Sequence, residues 1–561
     1  MQIPRWLGWI ATTWIFLFWI LCVGIPLSMV LLQLESGSAT LSIWDPSVLH
    51  VARATFLQAL YSTAISAVLG TAIGVWIRTP VNRAGGFTQG GLVGWTHSLL
   101  AIPYSIPTVV AAQAWILWLG RSGVLAKFGI HLDWMYSLKS VILAHVFFNV
   151  PFVALMVSQA KLEVPKAQIE AAQLMGANGW SRFRWIIWPY IRWSAASSWA
   201  QVMALCGMSF GLVLILGGGP PVQTLEVEIY QRLRTGSMDL PGAVICGFWE
   251  LLITLTPWAL VLFFNSKQHH FLKGLPVSAF RGSDCQSTRL RDVGFQGARF
   301  QGVSLFGFIR SFRFWGLLES GLVAFFIIPY GIILNRETFA NFLDPLWQRQ
   351  VSEPLMFSLL LAFLTSVLTL ITAGMAVLSL RYLQRWTKAQ AIGTFLMGIP
   401  SGVSILVLGL GVWMAYGRWV DPFDGSLLAI VALQVTIAFP VALRLLLPLL
   451  KGVQVRELEA ALLLGANPFR AFWDVEWARW RGLVFRVLAL SAAASLGELG
   501  AVSLFYSEKL IPLPLLISRL MQQYRFDEAQ GVSGLLFLLC LLILAGPAFG
   551  KFRLSHAFKT T

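Results

Sequence analysis

Long apolar runs separated by short polar stretches dominate the chain. A transmembrane helix needs about 20 mostly apolar residues to cross the hydrocarbon core. Twelve segments meet this requirement: residues 7–33, 54–77, 95–119, 138–159, 193–217, 240–265, 314–335, 354–380, 390–416, 425–449, 487–506 and 529–549. The pattern therefore predicts an all-α integral membrane protein with twelve transmembrane helices.

Composition supports this prediction. The 561 residues are 57% hydrophobic and only 12% charged, whereas soluble proteins carry about 25% charged residues. The stretch 1–30 has one basic residue, Arg5, and no small-residue cleavage site. We therefore expect it to be a retained first span rather than a signal peptide. The five cysteines show no CxxC or Cys/His spacing, so we expect neither a metal site nor a disulfide.

The net charge of +16 could suggest a nucleic-acid partner, but the placement of the charges indicates otherwise. With the N-terminus inside, most of the 41 Lys and Arg residues fall in inner loops and tails. Basic residues in cytoplasmic loops set the orientation of membrane proteins. The sequence thus predicts a bacterial inner-membrane location with both termini in the cytoplasm, and no nucleic-acid partner.

Two segments of the chain repeat each other. Residues 170–189 read EAAQLMGANGWSRFRWIIWP and residues 459–478 read EAALLLGANPFRAFWDVEWA, an offset of 289 positions that Pro151 and Pro440 share. Six predicted spans per half is an even number, so both copies face the same, cytoplasmic, side. We predict an N-terminal half (1–265, loop 161–192), a cytoplasmic linker (266–313) and a C-terminal half (314–561, loop 451–486).

Each repeated loop predicts a helix, a tight turn and a second helix. The EAA runs consist of strong helix formers. Gly176 and Gly465 suit the left-handed conformation that ends a helix. The asparagines two residues later, Asn178 and Asn467, are good N-caps for the next helix.

These loops resemble the EAA signature of binding-protein-dependent ABC importer permeases, in which a short coupling helix docks on a cytoplasmic ATPase. The matching positions are Glu170, Ala171, Ala172, Gly176 and Pro189 in the first copy, and Glu459, Ala460, Ala461 and Gly465 in the second. Ala478 stands where the signature has proline, which puts the exit of the second coupling helix in doubt. The resemblance implies the type I importer fold.

Fusion of two permease halves is similar to the ferric-iron and thiamine importers. The stretches AHVFFNVP (144–151), LGGGPPVQTLEVEIYQRL (216–233), SLGELGAVSLF (495–505) and LPLLISRLMQQYRFDEAQ (513–530) resemble thiamine-importer permeases. The resemblance implies a permease for a small solute, thiamine, delivered by a periplasmic binding protein. A ferric-iron importer is the alternative, and a secondary transporter a more remote one.

The chain has no GxxxxGK[ST] segment, so we expect no cofactor in it and no enzymatic activity. The resemblance implies that a separate ATPase homodimer binds ATP, with one permease chain per complex.

Candidate pathway residues are few. Glu498 lies within the eleventh predicted span, and acids inside spans face a cavity or the bundle interior. Pairing Gly211 with Gly497 gives Leu212 as its repeat partner.

Glu250 and Glu319 are weaker candidates. Tyr230 could stack on a cationic ligand, and Gly218 could form a gating bend. For His145 we favour a hydrogen-bonded core role.

Overall fold

The computed structural model describes residues 5–35, 43–77, 106–121, 123–217, 222–234, 238–274, 325–326, 328–383, 386–419, 425–447, 477–508 and 510–557, and single residues 100, 321, 463, 465, 467, 470 and 473. Regular structure in this part of the chain is helical. The one exception is an isolated β-bridge between Ser507 and Leu510.

The helices of the first half follow one another with short connections. They are α1 (Arg5–Trp19), α2 (Ile25–Glu35), α3 (Pro46–Trp76), α4 (Thr108–Leu119), α5 (Val124–Lys127), α6 (Leu138–Lys161), α7 (Lys166–Leu174), α8 (Gly179–Arg182), α9 (Trp188–Gly207), α10 (Gly211–Leu216), α11 (Leu225–Arg234) and α12 (Leu240–Gly274). A π-helical turn, Ile20–Gly24, joins α1 to α2, and a second, Phe183–Ile187, leads into α9. Helix α12 continues beyond residue 266, where we had placed the start of the linker.

The second half repeats this order. Its helices are α13 (Arg336–Leu343), α14 (Pro345–Leu383), α15 (Thr387–Gly398), α16 (Ile405–Tyr416), α17 (Leu427–Leu446), α18 (Ala478–Gly497), α19 (Gly500–Phe505), α20 (Leu513–Gln522) and α21 (Phe526–Ala557). Helix α17 corresponds to α6, and α18 to α21 correspond to α9 to α12. The repeat that the loops predicted therefore extends along much of each half.

Eight helices in the described residues are long and apolar enough to cross a membrane, or up to nine if one bent pair counts as a single span. The bent pair is Ile392–Gly402 with Ile405–Tyr416, which meet at 101°. This covers most of the ninth predicted span, 390–416, so that segment is broken rather than straight. Residues 275–320, which contain most of the predicted linker and the start of the seventh predicted span, lie outside the described residues. The total of twelve spans remains a prediction.

The fifth and eleventh predicted spans, 193–217 and 487–506, are also interrupted. Helix α9 ends at Gly207 and α10 begins at Gly211, while α18 ends at Gly497 and α19 begins at Gly500. Our expectation of continuous helices there was wrong, because residues between the two pieces leave the helical conformation. The breaks occur at corresponding places in the two halves.

Local chemistry explains several helix starts. Ser137 caps α6 and Ser426 caps α17, each with its side-chain oxygen accepting a backbone N–H of the first turn. The equivalent prolines, Pro151 and Pro440, lie inside these two helices. An internal proline removes one backbone hydrogen bond, so both fourth-span helices carry the same local weakness.

Helix α1 of the first half and residues 326 and 329 of the second half each contact the other half. In α1, Thr12 Oγ1 lies 3.2 Å from Ser379 Oγ of α14, and Trp19 Nε1 donates to the Leu396 carbonyl at 3.0 Å. In the opposite direction, Trp118 Nε1 of α4 donates to the Pro329 carbonyl at 3.1 Å. The Phe147 ring of α6 contacts Phe326, with centroids 5.3 Å apart. Each half therefore contributes a segment near its start that packs against the other half.

The core follows the same interlocked plan. The largest cluster of buried apolar side chains joins α4, α6 and α10 to α12 with α16 and α19 to α21, so it crosses between the halves. A second cluster places Ile15 of α1 among α14, α17 and α18. A third is confined to α3, α6 and α9.

Candidate functional site

The first coupling loop has the predicted helix–turn–helix geometry. Helix α7 ends before Gly176, whose φ of +80° is in the left-handed region. Asn178 Oδ1 accepts the Ser181 backbone N–H at 2.8 Å and so caps α8. Glycine adopts this conformation without strain, and the cap satisfies a helix-terminal donor. The prediction of the turn from Gly176 and Asn178 is confirmed.

The tip of this loop is apolar and exposed. Leu174 is 91% exposed and Met175 is 83% exposed. Glu170 and Ala171 are also exposed, while Ala172 is buried against the body of the protein. Large apolar side chains so exposed at a loop tip are typical of a surface that another protein covers.

The second loop repeats the turn. Gly465 has a φ of +85°, Asn467 Oδ1 accepts the Arg470 backbone N–H at 2.8 Å, and Leu463 is 88% exposed. Glu459, Ala460 and Ala461 lie outside the described residues. The two turns thus share backbone conformation, cap and exposed apolar tip.

The missing proline of the second copy leaves the helix start in place. Pro189 is in the first turn of α9, and Ala478 is the first residue of α18. Each helix continues from a residue that is already helical, Ile187 or Trp477, so a proline is not required to begin it. Both fifth-span helices therefore begin at corresponding positions despite the substitution.

A cavity of about 450 Å³ lies between the two halves. Its polar lining includes His145 and Asn149 of α6, Ser209 in the break after α9, Arg444 of α17 and Glu498 in the break after α18. Of the sequence-predicted pathway residues, Glu498 is in this lining. Tyr230 packs edge-on against the cavity-lining ring of Phe210, with centroids 5.3 Å apart, and is not in the described lining itself. Gly218 and Glu319 lie outside the described residues.

Glu498 is held at the start of α19. Its Oε1 accepts the Gly500 N–H at 2.6 Å, and its Oε2 accepts the Ala501 N–H at 3.0 Å. The partial positive charge of a helix N-terminus stabilises a carboxylate. The acid therefore lies in a helix break, with its carboxylate half-buried at the cavity.

The structure also corrects the repeat partner of Glu498. Counted from the end of the preceding helix, Gly207 or Gly497, the residue that matches Glu498 is Met208. Counted from the start of the next helix, Gly211 or Gly500, it is Ser209. Leu212 instead lies within α10. Sequence alignment failed here because the two breaks differ in length.

Two three-residue polar clusters tie the helices around the cavity. In the first half, Gln58 Nε2 hydrogen-bonds to His145 Nδ1, and His145 Nε2 lies 2.8 Å from Ser209 Oγ. The hydrogen-bonded core role predicted for His145 is therefore confirmed. His145 also lines the cavity.

In the second half, Thr365 Oγ1 donates to Gln434 Oε1 at 2.9 Å, and Ser495 Oγ donates to the same oxygen at 2.6 Å. Gln434 is 289 positions after His145. Each cluster joins the second, fourth and fifth spans of its half. Sequence reasoning missed both clusters, although the 289-residue offset could have paired His145 with Gln434.

Two buried acids lie behind the cavity. Glu226 of α11 and Glu250 of α12 are fully buried, and none of their four carboxylate oxygens has a hydrogen-bond partner among the described residues. Sequence reasoning named Glu250 and missed Glu226. The neighbouring Glu228 pairs with Arg232 at 2.7 Å, so the two acids of α11 have different surroundings.

The two halves also contact each other through α11 of the first half, and through α20 and the segment before it of the second half. The Tyr506 ring lies between the guanidinium groups of Arg234 and Arg519, at 4.2 and 4.8 Å from its centroid. Arg519 donates to both carboxylate oxygens of Glu508. These hydrogen bonds and the positive charge lower the pKa of the Glu508 carboxyl. Beside this junction is a pocket of about 690 Å³ formed by α4, α10, α11 and α20.

No group of three or more His, Cys, Asp and Glu side chains is placed to hold a metal ion in the described residues. The described cysteines Cys22, Cys206, Cys246 and Cys540 are free thiols.

Comparison with known proteins accounts for the duplicated loops and the apolar helices together. The sequence profile of the family "binding-protein-dependent transport system inner membrane component" matches the chain twice, over residues 70–270 and 387–549. The chain belongs to this family. It is thus an inner-membrane, multi-pass transport component, and each half carries one copy of the family unit.

Relatives of this inner membrane component match it along most of its length. The thiamine transport system permease protein of Brucella abortus is 28% identical over 529 residues, covering 92% of this chain and 91% of the relative. The corresponding protein of Haemophilus influenzae is 26% identical over 513 residues, covering 89% and 88%. That of Escherichia coli is 26% identical over 517 residues, covering 90% and 89%.

Proposed function

We propose that this chain is the complete membrane pathway of an ATP-driven thiamine importer. The observation that carries the proposal is a pair of matching coupling loops, Gly176–Asn178 and Gly465–Asn467, in two halves that enclose one cavity. Similarity over about nine-tenths of the chain to thiamine transport permeases supports the substrate.

In this proposal a cytoplasmic ATPase homodimer binds ATP and docks one subunit on each loop. The exposed Leu174 and Met175 tip of the first loop, and Leu463 of the second, supply apolar contact area. We place the exposed Glu170 and Ala171 of α7, with their counterparts Glu459 and Ala460, in this contact. Ala172, which is buried, and its counterpart Ala461 would instead pack the helix against the permease. ATP-driven closure of the ATPase would draw the loops together and move one half against the other.

The moving parts would be the helix breaks that border the cavity. Broken helices place irregular backbone where it lines a cavity, so no unsatisfied backbone faces lipid. The caps at Ser404 and Glu498 hold the starts of α16 and α19 beside the cavity. A small rotation of the halves can therefore change access to the cavity without unwinding a full span.

Glu498 is proposed to attract the cationic ring of thiamine. A half-buried carboxylate in a low-dielectric cavity interacts with a cation more strongly than one in water. It is fixed by two backbone donors, so it needs little reorganisation to receive the ligand. Tyr230 and Gly218 remain proposed contributors, the first through the Phe210 ring that it supports.

The proposal includes twelve spans, both termini in the cytoplasm, and one permease chain per complex, with a periplasmic binding protein delivering substrate. The pocket of about 690 Å³ near the Tyr506 junction is on the predicted periplasmic side, which suits that delivery.

Reconstitution tests the proposal. Proteoliposomes containing this chain, its ATPase and its binding protein should accumulate radiolabelled thiamine when ATP is supplied, and should not accumulate ferric ion. Accumulation of thiamine without the ATPase would exclude an ABC importer. ATP-dependent uptake of ferric ion in place of thiamine would keep the importer and overturn the substrate.

A further inference from the structure

Exposed aromatic rings and cations cluster where α9 and α12 end beside the first coupling loop. We call this surface the aromatic–basic band, and its members are Arg184, Trp185, Arg192, Trp193, Phe263, Phe264 and Lys267. Trp185 is 73% exposed and Phe263 is 51% exposed. The band is therefore an outer surface of the protein.

Each cation of the band lies over an aromatic ring. The Arg184 guanidinium is 5.2 Å from the Trp185 centroid, and the Arg192 guanidinium is 5.0 Å from the Trp193 centroid. Lys267 Nζ is 5.3 Å from the Phe263 centroid. Cation–π contacts hold each positive charge in position beside its ring.

Packing contacts join α9 and α12 within the band. The rings of Trp193 and Phe264 stack with centroids 6.0 Å apart. Ser197 Oγ donates to Asn265 Oδ1 at 2.8 Å, and Gln268 Nε2 donates to the Tyr190 carbonyl at 3.0 Å. The cations on α9 and α12 therefore form one surface rather than two.

The band contains positive charge without acidic residues of its own. The chain has no Asp or Glu from residue 171 to 225, nor from 251 to 283. These two segments contain every member of the band. An exposed cationic surface without carboxylates is complementary to an anionic partner.

The position of the band favours a lipid as that partner. The membrane-span candidate Leu240–Gln268 ends at the band. Tryptophan rings with Lys and Arg at the end of a span are typical of the headgroup region of a bilayer. We propose that the band binds the phosphate headgroup of anionic phospholipids. The proposal rests on the proposed function only for assigning the band to the cytoplasmic leaflet.

The second half provides an internal comparison. Its equivalent segment also has basic residues, Arg479 and Arg481, but Asp474 and Glu476 precede them. Acidic residues so close in sequence reduce the net positive charge. We therefore expect anionic lipid to prefer the first half.

Native mass spectrometry of the purified permease–ATPase complex tests the proposal. The complex is mixed in detergent with equal amounts of phosphatidylglycerol and phosphatidylcholine, and the lipids retained are counted. We expect a clear preference for phosphatidylglycerol. A charge near an anionic surface contributes about 1 kcal/mol, or about fivefold in affinity. The triple variant R184Q/R192Q/K267Q should therefore reduce this preference by at least about tenfold.

Charge-preserving and second-half variants are the matched controls. The variant R184K/R192K/K267R should keep the preference, and R479Q/R481Q should weaken it less than the triple glutamine variant does. Equal retention of the two lipids by the unmodified complex would overturn the proposal. So would an unchanged preference in the triple glutamine variant.

The ATPase is the alternative occupant of this surface. If the triple glutamine variant keeps its phosphatidylglycerol but loses the ATPase during purification, the band is an ATPase contact and the lipid proposal is wrong. Lipid retention is measured without ATP or thiamine, so a failure of thiamine uptake would leave this result unaffected.

Discussion

The two halves of this permease share the backbone geometry of their loops and helix breaks. They differ in side chains at and around the cavity. Both loops turn at a glycine with φ near +80° and are capped by asparagine, and both fifth spans break at corresponding points. In contrast, the helix break that contains Glu498 in the second half contains Met208 and Ser209 in the first, and Gln434 corresponds to His145. Under the proposed function, this difference means that the ATPase would contact the two halves alike, whereas the solute would contact them unequally.

The largest effect is expected at the coupling turns. Gly176→Val puts a β-branched residue in the left-handed region, which costs at least about 1–2 kcal/mol. We expect ATP-driven uptake to fall by about tenfold or more, while Gly176→Asn, which tolerates this conformation, keeps most of it. Uptake and co-purification of the ATPase are measured together.

The same pair of changes at Gly465 sharpens the comparison. Matching losses at the two glycines would show that the loops contribute equally. Full uptake in Gly465→Val would mean that the ATPase depends on the first loop alone, and would contradict the shared role inferred from the matching turns.

A smaller but still large effect is expected at Glu498. Glu498→Ala removes a carboxylate that accepts two backbone donors, and hydrogen bonds to charged groups contribute about 1.5–3 kcal/mol each. We expect uptake of thiamine to fall by about tenfold. The first-half control, Met208→Ala, should change uptake less than about twofold.

Glu498→Gln separates the charge of this residue from its capping role, because glutamine keeps one acceptor oxygen. A raised KM with little change in thermal stability is expected if the charge attracts the solute. Unchanged uptake in both Glu498 variants would remove the residue from the pathway.

A moderate effect on stability is expected at the polar clusters. His145→Ala leaves Gln58 and Ser209 without their shared partner, and Gln434→Ala does the same to Thr365 and Ser495. An unsatisfied buried polar group costs about 1–3 kcal/mol. We expect each variant to lower the apparent Tm in detergent by about 2–8 °C.

The conservative change Thr365→Ser keeps the hydroxyl and should leave the Tm nearly unchanged. Equal decreases in Tm in the two alanine variants would show that the two clusters contribute equally to stability although their side chains differ. A loss in only one half would show that the clusters are not equivalent.

The smallest effect is expected at the buried acids. Glu250→Gln keeps the shape of a side chain whose oxygens have no hydrogen-bond partner in the described part of the chain, and removes a group that is costly to bury in its charged form. We expect the apparent Tm to stay the same or to rise by about 1–4 °C. A clear fall would show that the carboxyl has a specific partner. Leu251→Gln, which buries a new polar group beside it, is the destabilising control.

The sequence predicted the features that depend on neighbouring residues. Gly176 and Asn178 encode their turn within a few positions, so its geometry could be expected before the structure. The apolar runs likewise predicted most spans. The break at Glu498 was missed, although Gly497 and Gly500 flank this residue and glycine commonly interrupts regular structure.

Long-range features were also beyond sequence reasoning. The contact between Gln58 and His145 joins residues 87 positions apart, and nothing local distinguishes these two from other polar residues in spans. The interlocking of Thr12 with Ser379 joins residues 367 positions apart. Such contacts follow from how the helices pack, which hydropathy does not determine.

The interlocked first helix has a consequence for biogenesis. Helix α1 leaves the ribosome first, but its packing partner α14 begins at residue 345. At about 5–20 residues per second, α1 waits roughly 15–65 s before that partner is made. A helix can wait in lipid because its backbone bonds are satisfied internally. Joining both halves in one polypeptide keeps the late partner tethered to the early helix, so every chain carries one copy of each.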